Sequence, residues 1–179
     1  MTPTTKRSGV DLADKRAARI LSLTVDLASP NPTVRTKARK ALVAIGELAV
    51  PSLIGLLSHP KPHVRREAVK ALGGIADPIA APALVNALDD RDGDVRWLAA
   101  VGVAALGRDG LQPLLAALLQ RAQSCSFCEA AHHVCHVLLK RKRLSPILRP
   151  LLAAMKESEP EVAVPPAAYA ALSRLRDLS

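Results

Sequence analysis

Cysteine and histidine side chains crowd into one short stretch of this 179-residue chain: Cys125, Cys128, His132, His133, Cys135 and His136. Thiolates and imidazoles are side chains that bind zinc. If a helix starts near Ser126, Cys128 and His132 lie one turn apart on it, and Cys125 can turn back as a third ligand. Cys135 lies too far along that helix, and His136 can pair only with His132. A closed tetrahedral site therefore needs a ligand from another helix.

Packing is the favoured interpretation of this cluster, because small buried cysteines are common in protein cores. Cys128 and Cys135 flank the predicted core face of the helix. The sequence therefore predicts no metal ion, with Cys125, Cys128 and His132 kept as an alternative metal or thiol site. Only Glu129 is available to orient a nucleophile, so no catalytic residue is predicted, and no pattern indicates a cofactor.

A run of four cations follows the cluster: Lys140, Arg141, Lys142 and Arg143. Such a run can bind phosphates or an acidic surface. The favoured alternative is a solvated helix C-terminus, where cations complement the helix dipole. The chain has a net charge of +9, which favours acidic partners, protein or nucleic acid. Its aromatic content of 2% is too low for a base-stacking surface.

These residues belong to a chain that repeats itself. The pattern Val-Arg-x-x-Ala begins at Val34 and returns at Val64 and at Val95. A second pattern, Pro-x-Leu or Pro-Leu-Leu, is in phase with the first and begins at Pro51, Pro82 and Pro113. Two fainter copies follow, the last of them lengthened. Apolar residues recur in each pattern with the period of a helix, so the sequence predicts ten helices in five pairs.

Local signs mark where several of these helices begin. Thr33 and Asp94 precede the first apolar residue of their helices and can cap them. Ser126 with Glu129 has the spacing of a capping box. The three prolines of the second pattern are typical of a first helical turn.

The quoted repeats resemble HEAT repeats, specifically the short PBS-lyase HEAT-like subtype. The resemblance implies an all-α, right-handed α-solenoid of about five HEAT-like helix pairs. A disordered segment 1–9 would precede a single domain 10–179, with repeats at about 10–46, 47–76, 77–107, 108–142 and 143–179. It also implies that Arg35, Arg65 and Arg96 pair with acidic or carbonyl groups of neighbouring repeats.

The resemblance further implies that the second helix of each pair lines the concave side. A protein partner would there contact Lys37, Lys40, Arg66, Lys70, Trp97, Leu98 and Val101. The single tryptophan, Trp97, is either an interface anchor or a side chain packed under a neighbouring repeat.

Similar repeats occur in phycobilin lyases and in deoxyhypusine hydroxylase. The hydroxylase holds iron with His-Glu pairs, and no histidine of this chain precedes a glutamate. The lyase likeness rests on the repeat alone. We therefore expect a non-catalytic scaffold or adaptor, not an enzyme, that binds a protein and is a subunit of a larger assembly. Binding to a nucleic-acid backbone is the alternative, and a metal- or thiol-dependent activity is the second alternative.

The chain's termini and cysteines indicate its location. The polar N-terminus predicts no signal peptide, and no long apolar run predicts a membrane span. All three cysteines lie between Cys125 and Cys135, so a disulfide framework is not expected. These features together predict a cytoplasmic protein.

Overall fold

The computed structural model describes residues 7–177, with side chains described from residue 12 onward. Within that range the chain forms ten α helices and no strand: α1 (Arg7–Asp26), α2 (Pro32–Ile45), α3 (Val50–Gly55), α4 (Pro62–Ile75), α5 (Ala81–Asn86), α6 (Gly93–Leu106), α7 (Arg108–Arg121), α8 (Cys125–Leu138), α9 (Ser145–Ala154) and α10 (Pro160–Asp177). Short 3-10 turns flank α3 and α5. The predicted all-α stack of five pairs is confirmed. Helix α1 begins inside the segment 1–9 that the sequence predicts as disordered, and residues 1–6 lie outside the described residues.

The predicted caps of α2 and α6 are wrong by two residues. The α2 cap is Asn31, whose Oδ1 accepts the backbone N–H of Thr33 at 2.9 Å. The α6 cap is Asp92, whose Oδ1 accepts the backbone N–H of Val95 at 3.1 Å. Each helix therefore begins before its apolar stripe does, and Asp94 lies inside the first turn of α6.

The predicted capping box of α8 is also wrong. Ser124 is the cap, and its Oγ accepts the backbone N–H of Phe127 at 3.3 Å. Ser126 instead donates to Asp89 Oδ1 at 2.8 Å, next to a matching bond from Ser124 at 2.8 Å. Asp89 thus ties the start of α8 to the preceding repeat.

Two of the three prolines lie where the sequence places them. Pro51 and Pro82 are in the first turns of α3 and α5. Pro113 lies inside α7, which begins five residues earlier at Arg108. The reason is Gly107, whose φ of 64° ends α6 and lets the chain enter α7 directly.

Helices pack in two layers over the first four pairs. Helices α2, α4, α6 and α8 stack in chain order and form what we call the second-helix layer. Helices α5 and α7 pack side by side in the other layer. Leucines such as Leu42, Leu72 and Leu115 are fully buried between the layers. Gly73 and Gly102 let α4 and α6 approach closely, because a Cβ on Gly73 would lie 3.3 Å from the Gly102 Cα.

The last pair departs from this order. Helix α10 packs mainly against α7 and α9, and α9 lies against α8. The Arg108 guanidinium at the start of α7 donates to the Leu175 carbonyl of α10 at 2.9 Å. Helix α9 therefore extends the second-helix layer past α8, and α10 covers α7.

The ladder of arginines holds the turns between helices. Arg65 donates to both oxygens of Asp90 in the next repeat at 2.7 Å, and to the carbonyls of His59 and Pro60 at 2.9 and 3.2 Å. The predicted pairing between repeats is confirmed for Arg65. It is wrong for Arg35 and Arg96, which donate to carbonyls of their own preceding turns.

Helix α8 carries a cysteine where the ladder has arginine. The Cys128 thiol donates to the Ala122 carbonyl, six residues earlier, at 3.3 Å. Arg35, Arg65 and Arg96 each bind the carbonyl six residues earlier in the same way. Cys128 therefore forms the same hydrogen bond to a carbonyl six residues earlier, but it lacks the positive charge of the arginines.

One stretch departs from the expectation that no segment could span a membrane. By length and composition alone, Pro32–Ser58 is apolar enough to do so. In the fold this stretch is not one continuous α helix, because Gly46, with φ of 76°, separates α2 from α3. Leu42, Val50 and Leu53 from this stretch are buried in the core.

Candidate functional site

A groove between α6 and α8 carries the single tryptophan. It has a volume of about 240 Å³, and Arg96, Trp97, Glu129 and His133 are among its lining residues. The Trp97 side chain is 59% exposed, so it does not pack under a neighbouring repeat. An exposed indole beside a carboxylate and an imidazole offers a flat apolar surface with groups that can form hydrogen bonds.

The predicted basic contacts on α2 and α4 differ in availability. Lys37 and Lys40 are exposed and form no ion pair with a described residue. The Arg66 guanidinium lies 2.7 Å from Asp94, and the Lys70 ammonium lies 3.4 Å from Glu67. Arg66 and Lys70 are therefore partly neutralised within the fold.

The apolar members of the predicted contact set also differ. Val101 is 43% exposed on the same side of α6 as Trp97. Leu98 is partly buried and packs against the core, so it offers less surface than the sequence predicts. Trp97 and Val101 are thus the apolar residues of this set that remain open on α6.

The cysteines of α8 are not brought together with histidines as a metal site. Cys125 is exposed, Cys128 is half-buried and Cys135 is fully buried. Burial raises the pKa of Cys135 to about 12, so its thiol is a packing group. Burial also raises the pKa of Cys128, with the nearby Cys125 and Asp89 adding to the effect. Among the side chains that the structure describes, those of residues 12–177, no three histidine, cysteine or acidic groups are placed to hold a metal ion.

A second groove lies between α8 and α9, with a volume of about 380 Å³. His132 and His136 of α8 line one side, and Arg149 and Lys156 line the other. The His132 pKa is lowered by burial and then by the charges of Lys156, His136 and His133. The histidine spacing is visible in the sequence. The groove was missed because it depends on α9 packing beside α8.

The run Lys140 to Arg143 lies in the turn that follows α8 and is exposed throughout. The Arg141 guanidinium packs on the backbone of Gly107, where a larger residue would clash with it. Arg141, Lys142 and Arg143 line a third cavity of about 330 Å³ together with Arg108. The run is therefore separate from the two grooves that involve the body of α8.

The stacked helix pairs and their ladder of turn-binding arginines define a repeat protein of the α-solenoid class. The sequence pattern of HEAT repeats matches residues 16–104. The chain belongs to the HEAT-repeat family, in its PBS-lyase HEAT-like subtype.

Two relatives are similar in sequence to part of this chain. It is 34% identical over 126 residues to the bilin biosynthesis protein RpcF of Synechococcus sp. strain WH8020, covering 66% of this chain and 60% of that protein. It is 34% identical over 115 residues to the phycocyanobilin lyase subunit beta of Nostoc sp. strain PCC 7120, covering 55% of this chain and 58% of that protein. The chain thus spans less than two thirds of the length of either relative.

A solved structure is similar over more of the chain. It is the complex of CpcE and CpcF of phycocyanin lyase from Nostoc sp. PCC7120. The match has a TM-score of 0.58 and 26% sequence identity, and it covers 84% of this chain and 98% of that one.

These relatives overturn the expectation of a non-catalytic scaffold that is not an enzyme. They are named for bilin biosynthesis and for a phycocyanobilin lyase, which point to an enzyme-type function. They give no support to the nucleic-acid alternative. The prediction failed because the lyase likeness was carried by the repeat pattern, which many unrelated proteins share.

Proposed function

We propose that this chain is a subunit of a bilin lyase-type enzyme, which binds an open-chain tetrapyrrole and presents it to a protein acceptor. The observation that carries this proposal is the 34% identity over 126 residues to a bilin biosynthesis protein. Similarity to a chain of the phycocyanin lyase complex over 84% of this chain supports it.

The groove between α6 and α8 is the proposed contact for the pyrrole rings. The exposed Trp97 indole provides a face for stacking, since aromatic rings pack well in offset arrangements. Glu129 lies across the same groove, and its carboxylate can accept hydrogen bonds from pyrrole N–H groups. His133, beside it on α8, can donate or accept a hydrogen bond.

A second protein chain is part of the proposal. One relative is named as a beta subunit, and the similar structure is a complex of two proteins. We assign partner contact to the predicted set on the second-helix layer, with the exposed Lys37, Lys40 and Val101 as its most available members. The partner's surface would be acidic where it meets the two lysines. We expect the assembly to be cytoplasmic.

A titration with phycocyanobilin tests the function. The bilin's visible absorbance should change on binding in the micromolar range, because an exposed groove buries only part of the ligand. Trp97→Ala should weaken binding by about twofold to tenfold, since ring stacking with an aromatic side chain is worth about 0.5–1.5 kcal/mol. Tyr169→Ala is the matched control, because Tyr169 is 66% exposed on α10 and is not among the residues that line the groove.

The result that overturns the proposal is equally concrete. No spectral change up to about 100 μM phycocyanobilin, with the protein folded by circular dichroism, excludes a useful affinity for bilins. Equal loss of binding in Trp97→Ala and Tyr169→Ala would overturn the assignment of the α6–α8 groove.

A further inference from the structure

The groove between α8 and α9 has a cationic rim and an apolar floor. Leu139 and Leu152 form part of the floor, and His132, His136, Arg149 and Lys156 surround it. Its volume of about 380 Å³ lies within the range of about 300–1,000 Å³ that small-molecule sites occupy. The groove exists because α9, not α10, lies beside α8.

The two histidines form one flat wall of this groove. Their ring centroids are 6.3 Å apart and the ring planes differ by 24°, so the rings are stacked. They are one helical turn apart on α8, which fixes their spacing. Two parallel rings beside leucines make a surface that suits a planar, largely apolar ligand.

The cations across the groove have no acidic partner among the described side chains. Arg149 Nε donates to Ser145 Oγ at 3.0 Å, which leaves the two terminal guanidinium nitrogens for another acceptor. Lys156 forms no ion pair with a described residue, and no carboxylate lines the groove in the described part of the chain. Positive charges that face one another attract an anion.

The pKa of His132 also indicates that the groove has a positive electrostatic potential. Its pKa is lowered first by burial and then by the positive charges of Lys156, His136 and His133. No negative charge contributes to the shift. The field that opposes a proton on His132 favours a carboxylate between Arg149 and Lys156.

We propose that the α8–α9 groove binds a carboxylate group of a planar amphipathic ligand. Arg149 and Lys156 hold the carboxylate, and the part of the skeleton next to it lies against the stacked histidines. Arginine binds carboxylates through paired N–H groups, and lysine adds a point charge. The inference rests on the proposed function, because an open-chain tetrapyrrole with propionate side chains belongs to this ligand class.

The experiment compares biliverdin, which has two free carboxylates, with its dimethyl ester, which has none. Binding to the full chain is followed by the visible absorbance of the bilin. The test variant is Arg149→Met with Lys156→Met. The matched control is Lys142→Met with Arg143→Met, which removes the same net charge from the exposed turn after α8.

We expect the wild-type chain to bind biliverdin about tenfold to hundredfold more tightly than the ester, because charge-assisted hydrogen bonds are lost with the ester. The test variant should lose that preference and bind both compounds alike. The control variant should keep it. Raising the salt concentration should also reduce the preference, since Arg149 and Lys156 are exposed and salt screens their charges.

Three other outcomes overturn the inference, and they separate it from the proposed function. If both compounds bind equally to the wild-type chain, or if the control loses as much preference as the test variant, the carboxylate site is wrong while bilin binding stands. If neither biliverdin nor its ester binds, the inference falls, and if phycocyanobilin also fails to bind, the proposed function falls with it.

Discussion

The central repeats place their cations next to carboxylates, whereas the C-terminal repeats place them next to one another. Arg65 meets Asp90 at 2.7 Å, and Arg39 meets Glu67 at 2.8 Å, in each case across a repeat boundary. On α9 and the turn after it, Arg149 and Lys156 face two histidines with no carboxylate among the described residues. The two regions are built from the same repeat but use charge differently.

This difference separates stability from binding. An exposed ion pair contributes at most about 1 kcal/mol, but breaking a buried pair costs several times more. Arg65 is only 3% exposed, so its pair with Asp90 belongs to the second kind. Cations without partners contribute little to folding and remain available for a ligand. The comparison therefore predicts opposite consequences for arginine substitutions in the two regions.

The largest effect is expected at the centre of the ladder. Arg65→Ala should lower the free energy of unfolding by about 3–5 kcal/mol, because it leaves the Asp90 carboxylate, whose side chain is only 11% exposed, without its partner. It also removes the donor for the carbonyls of His59 and Pro60. Urea unfolding followed by circular dichroism measures the change.

Arg35→Ala is the control within the same ladder. Arg35 is half-buried and binds only the carbonyls of Ser29 and Pro30, both at 2.8 Å. Its loss should cost about 1–3 kcal/mol, the usual range for hydrogen bonds to a charged group. Equal losses of unfolding free energy in the two variants would show that the Arg65–Asp90 pair adds no stability beyond the carbonyl bonds. The central repeats would then not be stabilised by their ion pairs.

Acid should act on the central region through the same pair. Burial alone would raise the Asp90 pKa, but bonds from Arg65 and the Asp92 N–H, with the charges of Arg65 and Arg91, outweigh it and lower the pKa. A lowered pKa in the folded state stabilises the fold above the unfolded value of about 3.9, and this stabilisation is lost as the pH falls through the folded value. Stability should therefore decline on acidification below about pH 4.

Asp90→Asn isolates that contribution. The variant should be less stable than the wild-type chain at pH 7, and the gap between them should narrow as the pH falls. Unfolding free energies measured by urea titration at several pH values between 7 and 2 give both curves. Parallel curves would mean that other carboxylates dominate acid unfolding and that the Arg65–Asp90 pair is not a major acid-sensitive contact.

The sequence predicts the central region far better than the C-terminal one. The helix that carries Arg65 follows from the spacing of the repeat, and the resemblance to HEAT repeats implies the pairing of Arg65 with a neighbouring repeat. The sequence predicts the wrong caps because Thr33 and Asp94 directly precede the first apolar residue of each helix. The helices begin earlier, and Asn31 and Asp92, two residues before, are the caps. Helix α2 begins at Pro32, which is tolerated there because the N–H of the first helical position has no partner within the helix.

The groove between α8 and α9 cannot be predicted from local spacing. His132 and His136 are one turn apart in the sequence, but nothing in that spacing says which helix will face them. The answer depends on the lengthened turn after α8, which sets α9 beside α8 and α10 on α7. In the same way, Trp97 could be placed on α6 from its spacing, but its exposure needed the neighbouring helices.

The smallest effect on stability is expected in that groove. Lys156→Met should change the free energy of unfolding by less than about 0.5 kcal/mol, because an exposed cation without a partner contributes little to the fold.

The same substitution should raise the pKa of His132 toward its ordinary value, since the Lys156 charge is one cause of its lowering. A proton NMR titration of the histidine ring measures this shift, and Lys142→Met is the control that should leave it unchanged. A large loss of stability without a change at His132 would mean that Lys156 is a structural cation like Arg65, and the two regions would then not differ. The opposite result, a shifted His132 in an equally stable protein, would show that the charge of the C-terminal repeats acts on the groove and not on the fold.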